Sequence, residues 1–422
     1  MKMQIGFGAC PQTVEIPDQN LDGVILPNEI EIAEKGEVLV LKALQNPIGA
    51  KFLNEIVKPG EKVAIITSDV TRPVPSYKII PEILNDLWRA GVKVEDVTIV
   101  FALGSHRSQT QEEMKKLVGE KVYNQIRCLD GDPDDYVLLG RTKMGTPVDI
   151  VRLVAEADRR ICVSNIEYHY FAGYSGGAKA IMPGVSTRAA IQSNHSRMVQ
   201  PQAVAGRLDG NPVREDIEEA IAFCPIDFIV NVVLDEHKEI VYAVAGHHVM
   251  AHREGCRFLD SMYLKHINRR ADIVIASQGG APKDLNLYQT QKALDNAKNA
   301  VKKDGIIILA GSCKEGLGEQ VFEEWMTKSK TPASMVERIK KDFQLGGHKA
   351  AAIALVLANA EIFLVSEMAP EFVESIFLKP YQTVQSALDD AFRKLGPQAS
   401  VLVLPYAGST LPVETLAVAR GE

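Results

Sequence analysis

The sequence predicts an α/β protein of two Rossmann-like domains. Three observations carry this. Short apolar runs rich in β-branched residues alternate with stretches of helical periodicity. Several of those runs end in polar or glycine-bearing loops. The alternation pauses in a polar, basic stretch (Lys265, His266, Asn268, Arg269, Arg270) and resumes after it. The boundaries that follow are 1–270 for an N-terminal domain and 271–404 for a C-terminal one. A tail, about 405–422, is expected to pack back on the first domain. In open α/β sheets ligands bind beyond the carboxyl ends of the strands, so the expected site is the cleft between the domains.

Taken in order, residues 1–60 read as a small β-rich entry. Val24-Ile25-Leu26 is apolar, Glu37–Leu41 reads as a strand, a helix follows over 42–57, and Pro59-Gly60 closes the segment. Lys62–Thr67 is a continuous apolar strand of the kind buried on both faces of a parallel sheet. It ends in Ser68-Asp69-Val70-Thr71-Arg72-Pro73. Ile79, Ile80, Ile83, Leu84 and Leu87 mark a helix over 76–90, with Gly91 as its C′ residue. Asp96–Leu103 is the next strand, ending in Gly104-Ser105-His106-Arg107. Thr110 and Glu113 form a capping box for a helix to about 124. A strand over 160–166 makes a third delivery to the same edge. Asn194-His195 lies in a polar helical stretch within 185–212. Helix 214–223, strand 226–234 and a helix over 246–264 follow. The second unit has strands at 271–277, 305–311, 361–366 and 400–404. Its helices are near 288–303, 331–343, 348–360 and 382–395.

Composition bounds the function. The 422 residues are 46% hydrophobic and 24% charged, which allows a large core. A formal charge of −7 without a basic block argues against nucleic acid. No apolar run approaches the roughly 18 residues that span a bilayer, so no membrane association is expected. Met1-Lys2-Met3-Gln4 leads into mixed sequence without a signal peptide. The six cysteines are scattered, with no C-x-x-C, and read as reduced thiols of a cytoplasmic protein.

The chemistry centres on 165–184. This stretch carries His169, a glycine turn (Gly173, Gly176, Gly177), Lys179 and the stop Pro183-Gly184. Strand, glycine turn and short helix start is the arrangement that aims backbone N–H groups at an anion. It is neither a Walker A loop, since Ala178 and Ala180 flank the lysine, nor a G-x-G-x-x-G fingerprint. A lysine between small residues can be desolvated, which lowers its pKa and frees the amine for covalent chemistry. The alternative is a structural turn with a solvated lysine. The polar groups delivered to the sheet edge are Asp69, Arg72, His106, His169, Lys179, His195, Gln289 and Lys292. Arg72 and Lys292 suit a carboxylate. There is no H-E-x-x-H, C-x-x-C pair or G-x-S-x-G. Two histidines, a covalent-type lysine and carboxylate binders point to acid/base chemistry on a small acid, as in a racemase or epimerase.

These residues form an ordered set: SDVTRP at 68–73, GSHR at 104–107, HYFAGYSGGAKAIMPG at 169–184, Asn194-His195, and NLYQTQK at 286–292. Together they resemble the nickel-dependent lactate racemase family over essentially the whole chain. The resemblance implies a nickel-pincer nucleotide, a pyridinium-3,5-bisthiocarboxylic acid mononucleotide, supplied by dedicated biosynthetic enzymes. It implies a covalent link to Lys179 and His195 as the protein ligand of nickel. It implies His106 and His169 as the acid/base pair. Arg72, Tyr288, Gln289 and Lys292 would hold the substrate, with Asp69 orienting Arg72 or a histidine. Asp69, Thr71, Tyr174, Ser175, Gly176 and Gly177 would line the cofactor. The implied reaction interconverts the C2 stereoisomers of a 2-hydroxy acid by hydride abstraction and return through a 2-keto acid. The other readings are a non-catalytic cofactor carrier of the same fold and a nicotinamide dehydrogenase. The missing G-x-G-x-x-G argues against the dehydrogenase. Lactate-specific members place a tryptophan in the second domain beside the cofactor. Near that place this chain has Gly346-Gly347-His348-Lys349, and Trp88 and Trp325 are expected elsewhere. A polar His348 there implies a longer or more polar acid; the alternative is that it caps the helix at 348–360.

Overall fold

The computed structural model describes residues 1–415. The chain forms two compact units. The middle unit is Ile30–Ser261; the split unit joins Met1–Glu29 to Met262–Glu422. The first 29 residues therefore do not belong with the N-terminal domain as expected. Their strand Leu21–Val24 pairs in parallel with Val401–Leu404, and Ile5, Val14 and Ile16 join the split unit's core. The tail pairs with residues that fall within the range expected for the N-terminal domain but belong to the split unit. Leu411–Glu414 pairs with Leu264–Ile267 inside the split unit, and 416–422 lie outside the described residues. Both placements follow from pairing between strands far apart in the chain, which leaves no local signal in sequence.

The middle unit is a six-stranded sheet in the order Ile240–Gly246, Phe228–Leu234, Arg159–Asn165, Val63–Ser68, Val97–Ala102, Arg127–Asp130. All neighbours are parallel except the first edge pair. The apolar runs are buried because helices cover the sheet, as with Ile79, Ile80, Ile83 and Leu87 of helix Ser76–Arg89. The chain winds outward from Val63–Ser68 and later returns to its other side at Arg159–Asn165. This switch point lies between the strands that release 69–72 and 166–179.

Glu37–Gln45 is a helix, not the expected strand. Val40, Ala43 and Leu44 form its buried face. That i, i+3, i+4 spacing outweighs the β preference of its valines. The expected helix to 124 is two helices, Gln111–Val118 and Glu120–Gln125, broken at Gly119, and its Thr110–Glu113 capping box is present. The hairpin Tyr136–Arg141/Pro147–Val151 and the edge strand Ile240–Gly246 have no counterpart in the sequence reading.

The split unit is an all-parallel sheet in the order Lys379–Tyr381, Ala360–Val365, Val301–Ala310, Ala271–Ser277, Val401–Leu404, Leu21–Val24. Its switch point lies beside Ala271–Ser277, which leads to helix Leu287–Ala297. Among the described residues, no helix is long and apolar enough to cross a membrane.

Candidate active site

At the first loop of the middle unit, Asp69 is buried with only 2% exposure. Its Oδ2 lies 2.6 Å from His106 Nδ1, and its Oδ1 accepts the Thr71 hydroxyl at 2.7 Å. Thr71 Oγ1 also lies 3.3 Å from His106 Nδ1. Of the two orienting roles expected for Asp69, the hydrogen bond found is to the histidine. Burial alone would raise Asp69's pKa. Its bonds to His106 and Thr71 and the charges of His106 and Arg72 reverse this, and the carboxyl sits below its ordinary range. A carboxylate on Nδ1 fixes the His106 proton there and puts the ring's lone pair on Nε2.

His169 closes a two-pair hairpin, Tyr168–His169 against Gly173–Tyr174. Its Nδ1 accepts the Ala172 N–H at 3.2 Å. In the neutral ring the proton is then on Nε2, the opposite tautomer to His106. Phe171 lies edge-on to both His169 and His195, with centroids 4.5 and 4.9 Å away. One aromatic ring thus brings two of the expected site histidines together.

His195 ends helix Arg188–His195 and is buried. Its Nδ1 donates to Asn194 Oδ1 at 2.8 Å. The Asn194 amide in turn donates to Asp216 Oδ2 at 2.8 Å and to Val213 O at 3.1 Å. Asp216 is fully buried and also accepts Thr142 and Thr146 hydroxyls, at 2.5 and 2.7 Å. This chain fixes His195 with its proton on Nδ1 and its lone pair on Nε2, the form that binds a metal.

Lys179 sits in the 3-10 turn Gly177–Ala180. The residue keeps some solvent contact, yet its amine is densely surrounded. Burial first, then the charges of Arg72 and Arg214, drive its pKa well below the ordinary lysine value; Glu167 opposes them. The turn is packed from behind. A Cβ on Gly177, at φ +58, would lie 2.9 Å from the His252 ring, so this position requires glycine. Two backbone N–H groups expected to face an anion are committed to protein. Ser175 N donates to Glu167 O at 2.9 Å and Gly177 N to Asn231 Oδ1 at 2.8 Å. The side chains of Tyr174 and Ser175 are also engaged, the first with Asp260 and the second with Asn165 O.

Sequence reasoning missed the residues that hold this turn. His252 Nε2 lies 2.7 Å from Ser175 O, and Arg214 Nη2 lies 2.9 Å from His252 Nδ1. Both side chains are buried, and His252's pKa falls well below its ordinary value, through burial first and then Arg214. His252 stands in a polar helical stretch and matches no motif, so nothing in the sequence singles it out.

In the split unit, Asn286 caps helix Leu287–Ala297, which carries Tyr288, Gln289 and Lys292. Lys292 is exposed, and Tyr288 and Gln289 are half-buried. His348 and Lys349 begin helix Gly347–Leu357, and both are buried. His348 Nδ1 accepts the Gly346 N–H at 3.0 Å. Lys349 Nζ donates to Tyr288 O at 2.6 Å and lies 4.0 Å from the Tyr288 ring centre. Trp325 is not remote from this turn, contrary to expectation. A Cβ on Gly347 would meet its ring at 2.4 Å. The indole is fully buried beneath the helix start.

The lactate racemase N-terminal domain model matches residues 7–206 and the lactate racemase C-terminal domain model matches 267–411. The chain belongs to the lactate racemase family. It is 33% identical over 422 residues to the lactate racemase of Thermoanaerobacterium thermosaccharolyticum, covering 97% of this chain and 98% of that one. It is 31% identical over 406 residues to the lactate racemase of Lactiplantibacillus plantarum, covering 93% and 95%. The solved lactate racemase apoprotein from T. thermosaccharolyticum superposes with a TM-score of 0.88 at 32% identity, over 98% of this chain and all of that one. A Thermotoga maritima crystal structure shares the fold at a TM-score of 0.64 and 18% identity, covering 90% and 98%. The family membership makes this chain an isomerase of the racemase class.

Proposed function

We propose that the chain interconverts the C2 stereoisomers of a 2-hydroxy acid, using a nickel-pincer nucleotide tethered to Lys179. The observation that carries the reading is the opposite tautomers of the two histidines. His106, held by Asp69, has its lone pair on Nε2 and can take a hydroxyl proton. His169, held by the Ala172 N–H, has its proton on Nε2 and can donate a hydrogen bond to a carbonyl oxygen. Such a pair offers an acceptor for the substrate hydroxyl proton and a hydrogen-bond donor for the carbonyl oxygen of the keto acid, which racemisation through that acid requires. A carrier without turnover has no use for such a pair.

The residues fit the cofactor. Lys179 has a depressed pKa, as an amine that must form a covalent bond requires. His195 has its tautomer fixed for a metal on Nε2. Among the described residues no group of three or more His, Cys, Asp or Glu is placed to hold a metal ion. Nickel here would take the rest of its ligands from the nucleotide. When bound, that group supplies a hydride acceptor, taking the Cα hydrogen of the substrate and returning it by way of a 2-keto acid. The chain's own part is positional and protonic. Arg72 in the middle unit, and Gln289 and Lys292 in the split unit, are the proposed substrate-holding groups. Lactate, the substrate in the relatives' names, is the first acid to try.

The test is racemisation of single enantiomers of 2-hydroxy acids by cofactor-loaded enzyme, with His106→Ala and His169→Ala in parallel. Each variant is expected to lose racemisation by on the order of 10²-fold or more. An unaltered rate in either removes that histidine from the pair.

A further inference from the structure

Helix Met250–Tyr263 lies outside every motif noted above, yet one of its faces serves the site. His252, Cys256 and Asp260 stand at i, i+4 and i+8, on one side of the helix. His252 meets Ser175 O at 2.7 Å. Cys256 Sγ lies 3.6 Å from His252 Nε2. Two turns on from His252, the Asp260 carboxylate receives two phenols. Tyr168 donates to Oδ1 at 2.8 Å, and Tyr174 lies 2.8 Å from both oxygens. These tyrosines are the cross-strand pair of the His169 hairpin, directly next to the His169–Gly173 pair. Their ring centres are 5.4 Å apart.

We propose that Asp260 is a positioning residue for His169, its carboxylate joining Tyr168 and Tyr174 so that the short hairpin presents the imidazole in one orientation. The physical need is plain. Two residue pairs are too few to hold a hairpin rigid in water. The hairpin carries a group whose proton must meet a substrate oxygen within hydrogen-bond reach. Two charge-assisted bonds from opposite strands to one acceptor close the hairpin at its open end. His252 holds the same chain segment from the same helix face. Burial raises Asp260's pKa, while the two phenols act against that.

The inference rests on His169 acting as an acid or base, and the experiment separates the two claims. Asp260→Leu, Asp260→Asn and His169→Ala are compared on cofactor-loaded enzyme. Asp260→Leu is expected to lower kcat on the order of 10- to 100-fold, with KM and cofactor content near the unsubstituted values. Asp260→Asn keeps an acceptor oxygen and should recover part of the rate. Histidine-labelled protein should show the imidazole nitrogen signals of His169 moved in Asp260→Leu while those of His106 stay. If Asp260→Leu fails to fold, Tyr168→Phe combined with Tyr174→Phe keeps the ring volumes and carries the test. An unchanged kcat in the folded variant, or unmoved His169 signals, overturns the positioning role while a slow His169→Ala still upholds the acid/base part of His169. A fully active His169→Ala overturns both.

Discussion

The middle unit fixes the histidines of its site through their own ring nitrogens, whereas the split unit holds Tyr288 and Gln289 by their backbone carbonyls. His106, His169 and His195 each have a defined partner on Nδ1: Asp69, the Ala172 N–H and Asn194. In the split unit, Gln278 holds the Gln289 carbonyl at 3.1 Å and Lys349 holds the Tyr288 carbonyl at 2.6 Å. Gln289 is half-buried and Lys292 exposed. Both units offer the carboxyl edge of a parallel sheet with a switch point, so fold alone does not divide the labour. Groups that move protons need a set tautomer and direction. Groups that hold a carboxylate need reach and charge. Substitutions of the middle unit's histidines and their partners should therefore act on kcat or on the cofactor, and those of the substrate-holding groups, Arg72 included, on KM.

The largest effect is expected at Lys179. Lys179→Ala should retain no covalent nucleotide, because the attachment atom is gone, while the turn stays packed on Asn231 and His252. Intact-mass spectrometry of protein made alongside the cofactor enzymes reads the adduct, and circular dichroism reads the fold. A nucleotide-sized adduct in this variant would place the linkage elsewhere.

Asp69→Asn comes next. An amide in place of the carboxylate removes the charge that holds the His106 proton on Nδ1, so racemisation should fall by on the order of 10²-fold or more. The pH dependence has a definite sign. A carboxyl with a depressed pKa stabilises the fold above its unfolded value, near the ordinary aspartate 3.8, and loses that contribution as the pH falls through its lower folded value. Asp69→Asn should therefore flatten the acid limb of the unfolding curve below about pH 4 and leave the neutral range less affected. An acid limb identical to that of the unsubstituted protein would refute this assignment.

Asp216→Asn probes the next partner outward. Its effect should reach His195 only through Asn194. Partners of this kind commonly change metal affinity by about 10- to 100-fold. Nickel content after dialysis against a competing chelator should drop, though less than in His195→Ala. Equal retention in Asp216→Asn and unsubstituted protein would mean that the Asn194 bond does not orient the ligand.

The contrast also explains what was legible in the sequence. The parallel sheets were readable because buried strands are continuous apolar runs, as at Val63–Ser68 and Ala271–Ser277. The site loops were readable because they follow those runs. Glu37–Gln45 was misread because Val38 and Val40 favour a strand locally, and only tertiary packing selects the face of Val40, Ala43 and Leu44. Arg214, Asn231, His252 and Asp260 were illegible for a different reason. Each acts on residues tens of positions away, and a partner at that distance leaves no spacing to recognise. The exchange of residues 1–29 into the split unit has the same origin.

The smallest effect is expected at Lys349, and it bears on substrate choice. Before the packing is considered, His348-Lys349 reads as a polar wall facing the far end of the substrate. The packing gives both side chains work inside the split unit: His348 accepts the Gly346 N–H and Lys349 donates to the Tyr288 carbonyl. Lys349→Met keeps most of the stem's volume and removes both the hydrogen bond and the charge over the Tyr288 ring. Losing this charge-assisted hydrogen bond costs about 1–3 kcal/mol. Part of that cost appears as a displaced first turn of helix Leu287–Ala297. KM should rise by roughly 10-fold or less, with kcat nearly unchanged, which marks lost uniform binding. A panel of 2-hydroxy acids distinguishes the two roles. If Lys349 acts by placing Tyr288 and its neighbours, KM rises by the same factor for lactate and for longer, more polar acids. If it is a wall that contacts the substrate, only the longer acids lose affinity, because a placed polar group discriminates far more strongly than a missing methylene. A uniform rise would leave the first turn of helix Leu287–Ala297, not Lys349, as the split unit's contact with the substrate.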